Sequence, residues 1–180
     1  MRTVIIEPVF ESWRQTARTL LALRVPPSDV LWCEDAQEPT LFELENETLP
    51  RVAVPNVPSA FLDMARSVAA HTDARRWSVL YRVLWRLTHG EERHLLAIST
   101  DSDMRQVQLW CKAIGRDIHK MHAFVRFRLV GNDEITGREQ FVAWFEPEYR
   151  IVRLGAGFFE KRFAGMDWSI LTPHECVHWD

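Results

Sequence analysis

One segment limits the folds open to this chain more than any other. Between residues 101 and 121, Met104, Val107, Trp110, Cys111, Ile114, Ile118 and Met121 recur every three or four positions. That period gathers side chains on one face of an α-helix. Asp101 stands where an N-cap belongs, so its carboxylate can take a backbone N–H of the first turn. The opposite side of the same helix carries Arg105, Lys112, Arg116, His119 and Lys120. A merely soluble helix face usually mixes signs, and this one is nearly free of acids.

The chain has 180 residues and 47% hydrophobic content, enough for a core and too much for disorder. A single domain over residues 1–180 is expected. Eight Trp are present; some are expected in the core and a few on a working surface, because indole buries a large area yet keeps one N–H. The apolar runs are too short for a membrane span, so no membrane partner is expected. Met1 leads straight into the strand-like TVIIEP; no secretory signal is read, and a cytoplasmic location is expected. Cys33, Cys111 and Cys176 fit no CxxC pattern and are expected to be buried or inert thiols of a reducing compartment. Net charge is −5 over residues 1–50, +3 over 51–115 and −1 over 116–180, for a total of −3. A protein that coats DNA generally would be distinctly basic, so any nucleic acid here meets a local patch, or a partner supplies most of the charge.

Periodicity and punctuation predict strands over residues 3–8 and 30–33, with a helix over 10–23 between them that Pro26 stops. Residues 34–50 read as an acidic loop with one strand near 41–44. Helices are predicted over 59–70, with Ser59 as N-cap, and over 76–87, with Gly90 as the C′ residue. After the helix of 101–121 come a strand over 123–130, a turn at Gly131-Asn132-Asp133 and a return strand over 140–146. Alternation places Val125, Phe127 and Leu129 inward and Phe124, Arg126 and Arg128 outward. On the return strand it places Phe141, Ala143 and Phe145 inward, and Val142, Trp144 and Glu146 outward. A helix over 151–163 and short strands over 168–172 and 176–179 complete an α+β fold with a mainly antiparallel C-terminal sheet packed with several helices. Phe127, Phe141, Phe145, Trp110 and Ile114 are expected in the core.

Catalytic signatures are missing. The seven Gly are scattered and form no phosphate loop, and neither GxSxG nor HExxH occurs. His174, Cys176 and His178 share a strand face at a spacing that is not a zinc spacing. His119 and His122, three apart, lack a third ligand. Glu146 and Glu148 read as a polar strand end. No metal and no resident cofactor are expected.

Residues 116–128, RDIHKMHAFVRFR, are the better candidate: four Lys/Arg and two His against one acid, Asp117, with Phe124 and Phe127 among the last arginines. Arg bridges phosphate through two N–H groups or stacks its plane on a base, and aromatics beside it supply stacking. The candidate nucleic-acid-binding residues are Arg116, His119, Lys120, Phe124, Arg126, Arg128 and Arg162, the last from the run FFEKRF. Arg116, Lys120, Arg126 and Arg128 are expected to form one exposed patch.

The runs RDIHKMHAFVRFR, FVAWFEPEYRIVRL, FFEKRFAGMDWSILTP and VHWD, with FESWRQTARTLLAL and PPSDVLW nearer the start, resemble an uncharacterised domain family of bacterial DNA-metabolism proteins. The resemblance extends from residue 4 to residue 180. In that family the domain stands nearly alone, encoded beside a radical-SAM protein linked to DNA repair, or is fused N-terminally to a uracil-DNA glycosylase superfamily domain. The resemblance implies DNA as a partner, with a uracil-DNA glycosylase-type domain or a radical-SAM repair protein as the second one. No glycosylase domain is present in these residues. Family members are expected to continue past Asp180, so the chain is read as a fragment or as lacking a portion that completes the fold or site.

The leading expectation is a DNA-repair accessory module that binds nucleic acid or positions a partner repair enzyme on it, without chemistry of its own. One alternative is an enzyme acting on damaged DNA or nucleobases, which requires His119, His122, Glu146 and His178 to converge in one pocket. The other is a protein-interaction domain whose basic face meets an acidic partner.

Overall fold

A computed structural model of the chain describes residues 1–34, 56–90, 92, 94–133 and 136–180. The strand expected near 41–44 lies outside them. The chain divides into two compact units, Met1–Cys111 and Lys112–Asp180.

In the first unit, β1 (Arg2–Ile5) and β2 (Val30–Cys33) pair in parallel, as a strand–helix–strand crossover requires. The crossover helix is α1 (Phe10–Ala22), which buries Trp13, Ala17, Leu20 and Leu21, the residues whose spacing predicted it. The helix closes in a Schellman turn. Arg24 N–H donates to Leu21 O and Val25 N–H to Leu20 O, both at 3.0 Å, with Arg24 in the left-handed region at φ 54°.

Next come α2 (Ser59–Ala69) and α3 (Arg76–His89). Ser59 is not the cap expected of it. It is already the first helical residue, Pro58 holds the N-cap position, and no side chain caps the helix. Gly90 likewise departs from expectation. It ends α3 at φ −90°, ψ 143°, which is extended and not left-handed. Its lack of a side chain matters because a Cβ there would sit 2.8 Å from the Arg86 carbonyl oxygen. The core of this unit gathers Trp13, Trp32, Phe61, Trp77 and Tyr81. Trp13 stacks on Trp77 at 6.4 Å between ring centroids. The Tyr81 hydroxyl, pushed up by burial, donates to Val25 O at 2.7 Å.

The long helix is α4 (Ser102–Phe124). Asp101 caps it as expected, accepting the Met104 N–H at 3.0 Å. Its expected apolar face is the buried one: Met104, Val107, Trp110, Ile114 and Met121 are all within 3% of full burial.

The second unit is a four-stranded mixed sheet in the order β3 (Arg128–Asn132), β4 (Glu139–Trp144), β5 (Asp167–Leu171), β6 (Cys176–Trp179), with α5 (Val152–Arg162) between β4 and β5. The β3/β4 and β5/β6 pairs are antiparallel. The β4/β5 pair is parallel, because α5 carries the chain back to the starting edge. The α+β class and the mainly antiparallel sheet therefore hold. Buried Ala143, Ile151, Val152, Ala156, Phe159, Trp168 and Ile170 form its interior.

Two boundaries move. The strand expected over 123–130 begins only at Arg128, because the α4 ladder continues: Val125 N–H donates to Met121 O at 3.0 Å, and Met121 is fully buried. Phe124 is thus helical. The hairpin turn also falls later, since Gly131 and Asn132 belong to β3. Asp133 closes it by accepting the Thr136 N–H at 2.7 Å, and Gly137 supplies φ 70°. Phe127, Phe141 and Phe145 are partly buried, in keeping with their expected inward faces. Leu129, expected beside them, is 54% exposed. It lies on an edge strand just before a register shift between Leu129 and Gly131.

Candidate nucleic-acid interface

The second half of α4 presents Lys112, Arg116, His119 and Lys120 along one side, where they line a shallow surface hollow with Gly115 between them. Lys112, Arg116, His119 and Lys120 are all exposed. Among the described residues no carboxylate lies within ion-pair distance of Lys112, Arg116 or Lys120, although ten ion pairs form elsewhere. The acid of this half-helix is turned away. Asp117 is 4% exposed, and its Oδ2 accepts the Tyr149 N–H at 3.0 Å, pinning the loop before α5. The face is therefore one-signed because the helix period sends Asp117 inward. Gly115 keeps it low: a Cβ there would meet nothing within 4 Å.

Beyond α4 the expected residues part company. Phe124, on the last turn, is 68% exposed. Arg126 folds back on the helix end, donating from Nη1 to Ala123 O at 2.7 Å and Val125 O at 2.9 Å, carbonyls that a helix C-terminus leaves without partners. Arg128 opens β3. The expectation of Phe124, Arg126 and Arg128 on one strand face is thus corrected, since only Arg128 lies in a strand. Arg126 instead joins Arg162 around a second hollow of about 490 Å³ whose walls include Phe127, Phe141, Phe158 and Phe163.

Arg128 aligns with Val142, Ser169 and His178 in one row across the sheet, and directly paired residues share a face. The same face carries Trp144, 61% exposed, and Cys176. Outward parity for Trp144 was readable from alternation. Its use as a surface aromatic, like that of Phe158, was not read from the sequence. Of the thiols expected to be buried or inert, Cys176 is exposed, so burial does not describe it, while Cys33 and Cys111 are half-buried. Burial pushes the Cys111 thiol up.

The four groups of the enzyme alternative, His119, His122, Glu146 and His178, do not share either of these two hollows. His119 and His122 line different hollows. His122 Nε2 donates to Gly155 O at 3.0 Å, and its ring stacks on Phe158 at 4.3 Å. His178 Nδ1 pairs with Ser169 Oγ at 2.7 Å. Glu146 lies beyond the end of β4 and lines neither hollow. The neighbouring Tyr149 hydroxyl is pushed up chiefly by its bond to the Glu148 carboxylate, 2.8 Å away. Among the described residues no group of three His, Cys, Asp or Glu is placed to hold a metal ion, and no helix is long and apolar enough to cross a membrane.

These features define an α+β protein with a cationic helix face that, among the described residues, forms no ion pair. The chain belongs to the family described as a domain of unknown function, DUF4130, whose model matches residues 74–179, from the turn before α3 to the end of β6. No curated protein and no solved structure matches it.

Proposed function

We propose that this protein is an accessory module of DNA metabolism that binds nucleic acid and holds a partner repair enzyme on it. The observation that carries the reading is the α4 face of Lys112, Arg116, His119 and Lys120, exposed and, among the described residues, without carboxylate partners. Leaving several cations close together unneutralised costs self-repulsion, and a phosphate backbone relieves it while releasing counterions. The resemblance of the C-terminal runs to proteins fused to uracil-DNA glycosylase domains, or encoded beside a radical-SAM repair protein, supplies the choice of DNA and of the partner class.

The test is a salt titration of binding to single- and double-stranded oligonucleotides. Wild type should bind at low salt, with log Kd linear in log salt concentration. The triple variant K112A/R116A/K120A should bind more weakly, with a slope reduced by about one unit per lost phosphate contact. A wild type that ignores both oligonucleotides at low salt, or a triple variant with an unchanged slope, rejects the reading. The face then belongs to an acidic protein partner. Melting curves recorded alongside separate lost binding from lost fold.

A further inference from the structure

The hollow around Arg126 and Arg162 points to a more specific ligand. Its walls are aromatic: Phe127 comes from the α4–β3 link, Phe141 from β4, and Phe158 and Phe163 from α5 and its C-cap. These rings already pack edge-on among themselves, Phe127 against Phe163 at 5.2 Å and 76°. Phe158 is still 41% exposed, and no described side chain fills the space. At about 490 Å³ it falls inside the range of roughly 300–1,000 Å³ usual for small-ligand sites.

Charge narrows the occupant. Arg126 and Arg162 both line the hollow and are both exposed. Among the described residues neither has a carboxylate within ion-pair distance. Arg126 is held by Nη1 on the Ala123 and Val125 carbonyls at the end of α4, which leaves Nε and Nη2 as donors and fixes the guanidinium in advance. The Arg162 guanidinium lies 5.8 Å from the Phe163 ring centre. An apolar peptide or lipid tail would use the rings and leave two cations unanswered. A ligand with a flat aromatic part and an attached anion satisfies both.

We infer that this hollow takes one unstacked nucleobase of a single strand, with Arg126 and Arg162 on its adjoining phosphate. The inference rests on the nucleic-acid reading of the α4 face and deepens it. A duplex keeps its bases stacked and offers none to the hollow, so the site distinguishes single from double strands, which the α4 cations by themselves do not.

The probe is a short oligothymidylate carrying one 2-aminopurine, compared with the same strand bearing an abasic site at that position. Binding of the full chain should quench the 2-aminopurine, and the abasic strand should bind about five-fold or more weakly, the loss expected from one base–aromatic stack. Phe158→Ala and Arg162→Ala should each bring the base-bearing strand close to the abasic affinity with duplex binding unchanged; Arg162→Ala should keep the wild-type melting temperature, whereas Phe158→Ala, which removes a ring stacked on His122, should lower it. Arg162 is exposed and, among the described residues, has no carboxylate within ion-pair distance, so its variant keeps the test open if Phe158→Ala fails to fold. Strand binding with no quenching and no abasic penalty overturns the inference and leaves the α4 reading standing. Failure of both strands to bind at low salt overturns both. Deoxyadenosine monophosphate alone binding as tightly as the strand overturns the strand as the source of the base.

Discussion

His122 and Gly155 are locked across the α4–α5 contact. The imidazole Nε2 donates to the Gly155 carbonyl at 3.0 Å, and a Cβ on residue 155 would lie 2.9 Å from Met121 Sδ and 3.4 Å from that same nitrogen. The glycine is what lets the two helices approach closely enough for the bond. Gly155→Ala should therefore destabilise, overpacking costing about 1–3 kcal/mol against a gain of up to about 1 kcal/mol in helix propensity. Gly157→Ala, where a Cβ meets nothing within 4 Å, should stabilise by up to about 1 kcal/mol. Urea unfolding of the two variants should give shifts of opposite sign; equal shifts would mean that the contact yields without cost.

Gly115 occupies the middle of α4 although nothing around it requires a glycine. The fold forgoes about 1 kcal/mol of helix propensity there. Between Lys112, Arg116 and His119, the missing side chain lets a ligand come down onto the helix backbone. Gly115→Ala should raise the melting temperature and weaken oligonucleotide binding at low salt. A variant that is more stable and binds as well as wild type would show that the ligand does not approach at this point.

Asp101 carries a pH dependence. Its hydrogen bond to Arg86, at 2.7 Å, holds the carboxyl below its usual range, and the Met104 N–H adds to the effect. With the folded value below the unfolded one, the contribution to stability is present above the unfolded pKa. It is lost as pH falls through the folded one. The unfolding free energy should drop as pH is lowered from about 5 to about 3. Asp101→Asn keeps a side chain able to cap α4 but removes the charge, and should flatten that drop. The check is urea unfolding at successive pH values for both proteins.

Arg24 holds the left-handed position that closes α1, at φ 54°. A side chain there costs about 1–2 kcal/mol that glycine avoids, less the entropy glycine loses on folding. Arg24→Gly should stabilise by up to about 1 kcal/mol, measured by chemical denaturation. Destabilisation would mean that the Arg24 side chain contributes more than its backbone strain costs.

What was legible in the sequence was set by local rules. The spacing of Trp13, Ala17, Leu20 and Leu21, and of Met104 through Met121, fixes which helix faces are buried, and the buried sets match apart from Cys111 and Ile118, which are half-buried. The extent of β2 and β6 followed from short apolar runs between turn residues. The inward side of β4 followed from alternation. Within the candidate site, the cationic run of α4 was visible, together with the single acid that interrupts it.

Tertiary structure decided the rest, because burial by the surrounding fold chooses between local alternatives that the sequence leaves open. Residues 121–124 carry apolar and basic side chains that suit a helix or a strand. Burial of Met121 and the Val125-to-Met121 hydrogen bond made them helix, and so took Phe124 and Arg126 off the sheet. The parallel pairing of β4 with β5 has no mark in either strand; it follows from α5 crossing between them. Asp117 counts as a negative charge in any composition, yet its bond to Tyr149 N–H removes it from the cationic face. Arg126 and Arg162 meet around one aromatic hollow for the same reason. Periodicity tells each residue which side it faces, and only the packing of one element on another tells it what it faces there.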